Sequence, residues 1–106
     1  MAMIMSLGGA FDKKSDVFEL GQLVMTAGIA KMMDLNYEFA IEVFKSYTKY
    51  INADWGDTCA NDCELNAEAL KTGERILAKY ITSKGDVFII TEWDRSVTTI
   101  LFANEY

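Results

Sequence analysis

Apolar residues in this chain keep two different periods, and the change between them falls at Gly73. Before it, Phe39, Ala40, Val43, Phe44, Tyr47, Tyr50 and Ile51 recur at three- and four-residue spacing, the stripe of an amphipathic helix. After it, Ile76, Ala78 and Tyr80 oppose Leu77, Lys79 and Ile81, the alternation of a strand with two unlike faces. Helical periods followed by strand periods place the chain in the α+β class, with helices packed on one side of a sheet.

Local punctuation divides these periods into elements. Asn36 predicts an N-cap for a helix over 37–51, with Glu38, Glu42, Lys45, Ser46 and Lys49 on its polar side and Glu42 spaced to pair with Lys45. A further helix is expected from about Cys59 to Thr72, with Ala60, Cys63, Ala67 and Leu70 on one face, Asp57 or Asn61 as cap and Gly73 as its stop. SKGD at 83–86 marks a hairpin, and WDRS at 93–96 separates the β-rich runs VFIITEW and VTTILF. The C-terminal third therefore reads as a three-stranded antiparallel meander. Upstream, VFELGQLVMT suits a short N-terminal strand bulged at Gly21, and Thr26 suits the cap of a short helix, AGIAKMM. About three helices against this sheet are expected. Residues 1–16, with Gly8, Gly9 and the polar run from Asp12, read as a loop joining a short apolar lead to the body.

Composition bounds the function. At 106 residues one core and a single domain, 1–106, are expected. The longest apolar runs fall well short of the ~18 residues of a membrane helix, and the N-terminus lacks the positive start of a secretory signal. A soluble, cytoplasmic protein is the expectation. The chain has 0 His, which removes imidazole bases, His-activated nucleophiles and His-ligated metals. Sixteen acids against ten bases give a net charge of −6, and Lys13 and Lys14 are the only cations adjacent in sequence. That distribution argues against direct nucleic-acid binding, which needs a basic patch, and toward a basic partner or simple solubility.

Three groups of residues are candidates for chemistry or binding. Cys59 and Cys63 share a helix face at i, i+4, but structural zinc needs four N or S ligands, and an intracellular thiol pair stays reduced. They read as structural, with no metal and no cofactor implied. Asp54, Asp57, Asp62, Glu64 and Glu68 make the densest acidic stretch, with no Lys or Arg from 52 to 68. Such a stretch suits either a phosphate-mimicking face for a basic channel or a capped, solvated helix. It lacks the alternating carboxylates and central glycine of a calcium loop. Glu92, Asp94, Arg95 and Ser96 bracket a tight turn. They are either an acid/base pair with a cationic clamp or a turn bonding its own backbone. Trp55 and Trp93 are either edges of the core or anchors for a partner.

The segments DWGDTCANDCELNAEALKTGERILAKY and FIITEWDRSVTTILFANEY carry a resemblance over roughly residues 51–106, supported by LGQLVMTAG. Trp55, Gly56, Asp57, Asn66, Gly73, Arg75, Tyr80, Glu92, Asp94, Arg95 and Ser96 are among the positions that fit. The pattern resembles a family of small uncharacterised proteins carried by plasmids, phages and integrated elements of bacteria. It departs from that pattern at Trp93, where a small residue is usual, and at Ala103, where proline is common. The resemblance implies a mobile-element setting and no established reaction. Small acidic proteins in that setting often act by binding a host defence complex. A non-enzymatic inhibitor of the anti-CRISPR or anti-restriction kind is thus the expectation, its partner a complex with a basic nucleic-acid channel. The partner-binding residues would be Asp54, Trp55, Asp57, Asp62, Glu64, Glu68, Glu92, Asp94 and Arg95. The alternatives are a small enzyme using Glu92, Asp94 and Arg95, and a module forming a homodimer through an exposed sheet edge.

Overall fold

Side-chain caps set two of the helix starts. The computed structural model describes residues 2–4 and 14–106. In it the Thr26 hydroxyl accepts from the Ile29 amide and opens α1, Ala27–Leu35. Asn36 accepts from the Phe39 amide at 2.8 Å and opens α2, Tyr37–Ile51. The next helix, α3, Ala60–Thr72, follows Cys59 with no side-chain cap, so neither Asp57 nor Asn61 has the capping role expected of it. Gly73 ends α3 in the left-handed conformation at φ 80°, which a Cβ would disfavour.

The strands are β1 (Ala2–Ile4), β2 (Gln22–Thr26), β3 (Ile76–Thr82), β4 (Gly85–Thr91) and β5 (Val97–Phe102), followed by a 3-10 turn, Ala103–Glu105. They form one sheet in the order β1-β2-β5-β4-β3. The expected meander is present: β3 pairs antiparallel with β4, and β4 with β5. The N-terminal strand joins it as β2, parallel to β5 because α1, α2 and α3 intervene before the meander begins. Gly21 sits before β2 rather than bulging it. Its φ is +64°, and a Cβ there would lie 2.4 Å or less from the Arg95 and Ser96 carbonyl oxygens. The reading of residues 1–16 falls mainly on residues outside those described. Within the described part, Ser15 Oγ donates to the Ile51 carbonyl at 2.6 Å and accepts from the Val17 amide.

Register places Ile76, Ala78 and Tyr80 beside Thr91, Ile89 and Val87, and those beside Thr98, Ile100 and Phe102. That face packs with Phe39, Val43, Tyr47, Tyr50 and Ile51 of α2 in the core. The predicted stripe and the predicted alternation therefore meet. Polar atoms inside are paired in a relay: Tyr50 OH donates to Thr91 Oγ1 at 2.7 Å, Thr91 to Thr98 at 2.8 Å, and Thr98 to the Leu20 carbonyl at 2.6 Å. The last bond fixes the direction of the others, since each hydroxyl has one proton to give. Burial holds the Tyr50 and Tyr80 phenols far above the ordinary tyrosine range.

Candidate functional site

The outer edge of β3 is covered by residues from the acidic stretch and its surroundings. In an edge strand alternate residues present unpaired backbone groups, here Leu77, Lys79 and Ile81. Asn66 on α3 donates to the Leu77 carbonyl at 2.8 Å and accepts from its amide at 3.1 Å, as a strand neighbour would. Thr58 Oγ1 accepts from the Lys79 amide at 2.8 Å, and the Asp57 amide donates to the Lys79 carbonyl at 2.9 Å. The Asp57 carboxylate then accepts from the Ile81 amide at 2.9 Å. Asp57 is thus an edge cap for the sheet. Asp54 has a turn role: its carboxylate accepts from the Gly56 amide, and its carbonyl accepts from Tyr80 OH at 2.7 Å.

Three carboxylates remain. On α3, Glu64 and Glu68 stand four residues apart on the outward side, whereas Asp62 lies about 200° around the helix from Glu64, on the side of Asn66. Asp62, with Leu65, Asn66, Arg75 and Leu77, lines a shallow hollow of about 180 Å³. None of these three carboxylates makes a hydrogen bond or ion pair among the described residues. The acidic stretch is therefore divided into two structural aspartates, one at the hollow and two glutamates facing outward beside Leu65, which is 59% exposed.

At the turn between β4 and β5, Asp94 accepts from the Ser96 hydroxyl at 2.6 Å and from its amide at 3.0 Å. These bonds hold its carboxyl below the usual aspartate range. Arg95 has φ 59° and turns its guanidinium onto three carbonyls, those of Glu74 (2.7 Å), Ala69 (3.0 Å) and Glu92 (3.1 Å). It closes the C-terminus of α3 and ties it to the hairpin. Glu92 contributes its backbone on both sides, to Val97 and from Arg95. Among the described residues, no side-chain hydrogen bond joins Glu92, Asp94 and Arg95 to one another. Trp55 lies tilted against Phe18 and edge-to-face with Tyr50, at ring separations of 6.1 and 5.6 Å, and packs on the core.

Three further residues come forward that periodicity did not mark. Asn66 occupies the inward side of α3, three after Cys63 and four before Leu70. A buried amide there requires partners. That polar residue on the apolar side was the available signal. Glu42 accepts from the Ser83 amide and hydroxyl at 2.9 and 2.5 Å, tying α2 to the β3–β4 turn. Glu105 accepts from Thr26 Oγ1 and the Phe102 amide, both at 2.8 Å, and nothing local in the sequence announces it. Cys59 is exposed, and Cys63 is half-buried with its thiol donating to the Thr58 carbonyl. Among the described residues no group of three or more Cys, Asp or Glu converges on a metal position, and no helix is long and apolar enough to cross a membrane.

Comparison of the chain with family models, with curated proteins and with solved structures gave no match.

Proposed function

We propose that this chain is a non-enzymatic binding protein that docks the outward side of α3 on a basic surface of another protein. The observation that carries the reading is that Glu64 and Glu68, without a partner among the described residues, stand beside exposed Leu65 on a helix whose opposite side is committed to the sheet edge through Asn66. An apolar centre flanked by unpaired charge is the arrangement of a small interface with a polar rim. The other candidate groups are consumed internally, Asp94 and Arg95 by the turn and Asp57 by the edge of β3. That accounting favours binding over catalysis at the Glu92, Asp94 and Arg95 cluster. It likewise gives the β3 edge an internal cover where a homodimer would need it bare. The resemblance of residues 51–106 to plasmid and phage proteins supports a mobile-element setting. The partner is then a bacterial host defence complex of the CRISPR or restriction type, met in the cytoplasm, whose nucleic-acid channel supplies the basic surface.

The test is a pull-down and nuclease-inhibition assay with purified CRISPR and restriction complexes at two salt concentrations. Binding weakens as salt rises, because the charges concerned are exposed. Combined Asp62→Lys, Glu64→Lys and Glu68→Lys abolishes it, while Glu38→Lys leaves it unchanged. Stability shifts within about 0.5 kcal/mol per site, as for exposed charges generally. Unchanged binding by the folded triple variant, or no binding to any such complex by the parent, refutes the reading.

A further inference from the structure

Asp62 and Arg75 line the same hollow of about 180 Å³ beside α3, yet they do not pair. An arginine fork ordinarily takes a carboxylate in preference to a neutral acceptor, because the charge-assisted pair is the stronger. Here Arg75 donates instead to the Tyr106 hydroxyl, and its guanidinium carbon lies 5.5 Å from the centre of that ring. Asp62 makes no hydrogen bond or ion pair among the described residues. Asn66, the third polar side chain of the hollow, is spent on the backbone of Leu77.

Tyr106 is held in place by contacts of its own. Its ring stands edge-on to Phe88 at 5.7 Å, and its amide donates to the Ala103 carbonyl at 3.2 Å. The preceding residue, Glu105, accepts from Thr26 Oγ1 and from the Phe102 amide, both at 2.8 Å. Its carboxylate lies so close to α1 that a Cβ added to Gly28 would sit 2.7 Å from it. The turn that carries Tyr106 is thereby pinned to the start of α1, and the phenol is a fixed post to which Arg75 is drawn. We infer that Tyr106 is a positioning residue: by holding Arg75 it keeps the Asp62 carboxylate open to a cationic side chain of a basic partner. Leu65 lines the hollow and is also the exposed apolar residue of the docking side, so a partner seated there reaches Asp62. This deepens the proposed function and rests on it for the partner, whereas the hold on Arg75 is independent of it.

Two measurements separate those parts. Urea denaturation of Asp62→Asn, Arg75→Gln and their combination gives the coupling between the two residues, in the parent and in the Tyr106→Leu and Tyr106→Phe backgrounds. The parent shows none. In Tyr106→Leu the freed guanidinium pairs with Asp62, and a coupling of roughly two- to fivefold in the unfolding constant appears, the scale of an exposed ion pair. Tyr106→Phe keeps the ring, loses the hydroxyl and shows a smaller coupling, which covers the case of a Leu variant that fails to fold. Fluorescence anisotropy of labelled oligo-lysine at low salt then reads the consequence. Tyr106→Leu binds roughly two- to fivefold more weakly than the parent, and adding Arg75→Gln removes that difference, as a purely structural role for Tyr106 would not allow. Coupling in the parent, or none in either Tyr106 variant, overturns the inference. So does a weakening by Tyr106→Leu that persists with Arg75→Gln. Coupling that appears while oligo-lysine affinity stays unchanged overturns the role given to Asp62. Loss of response to Glu64→Lys and Glu68→Lys as well is the separate failure of the docking reading itself.

Discussion

Arg95 shows how one side chain can look catalytic in sequence and be structural in space. Following two acids, Glu92 and Asp94, it has the composition of a clamp, but its positive φ aims the guanidinium back at the chain, where three carbonyls await. Its loss has two opposed parts. Arg95→Ala removes the contacts, about 2 kcal/mol in all for part-buried charged hydrogen bonds, and keeps the left-handed backbone that an alanine disfavours. Arg95→Gly removes the same contacts but relieves the backbone, so it should be the more stable variant by about 1 kcal/mol. Urea denaturation orders the two. Equal stability would mean that the conformation of residue 95 carries no strain. Asp57 has the same ambiguity: a charge count reads it as part of a face, while its amide and carboxylate hold two residues of β3.

At the scale of elements, the edge of β3 is the feature least visible in advance. The helix over 37–51 and the meander follow from apolar periodicity, because α2 and the sheet bury side chains of one kind against each other. The packing of α3 follows a different rule. Its buried positions are Asn66 and Ala69, while Ala60 and Ala67 of the expected apolar face are exposed. The helix lies against backbone, so it turns inward a residue that bonds backbone, and a hydropathy pattern cannot register that choice. Asn66→Leu tests it. The substitution removes two hydrogen bonds and strands the Leu77 amide and carbonyl, for about 2–3 kcal/mol. With the edge uncovered, self-association that rises with concentration should appear in sedimentation velocity. A variant as stable and monomeric as the parent would show that α3 covers the edge without those bonds. Capping was more legible: Thr26, Asn36 and Gly73 act where local chemistry placed them, whereas the hairpin clasp by Glu42 and the hold of Glu105 on Thr26 depend on residues far apart in sequence.

At the scale of the whole molecule, the core is tied together by tyrosines that must stay protonated. Tyr50 links α2 to β4 through Thr91, and Tyr80 links β3 to the loop carbonyl of Asp54. Both phenols are held far above their ordinary value by burial, the larger influence on each. The sign follows directly. An acid whose folded value is raised contributes its full stability below the unfolded value, and that stability is lost as pH rises above it. An ordinary tyrosine ionises near pH 10, so the domain should lose stability steadily above about that pH and unfold cooperatively while Tyr50 and Tyr80 are still protonated in the folded form. A spectrophotometric titration followed alongside near-ultraviolet circular dichroism checks this: part of the tyrosinate absorbance should arrive only with the loss of tertiary signal. Replacing Tyr50 and Tyr80 together by Phe should shrink that late portion and lower neutral stability, since Thr91 and the Asp54 carbonyl each lose a donor. Complete tyrosinate formation with the near-ultraviolet signal intact would contradict the account, because two phenolates would then sit inside the core without unfolding it.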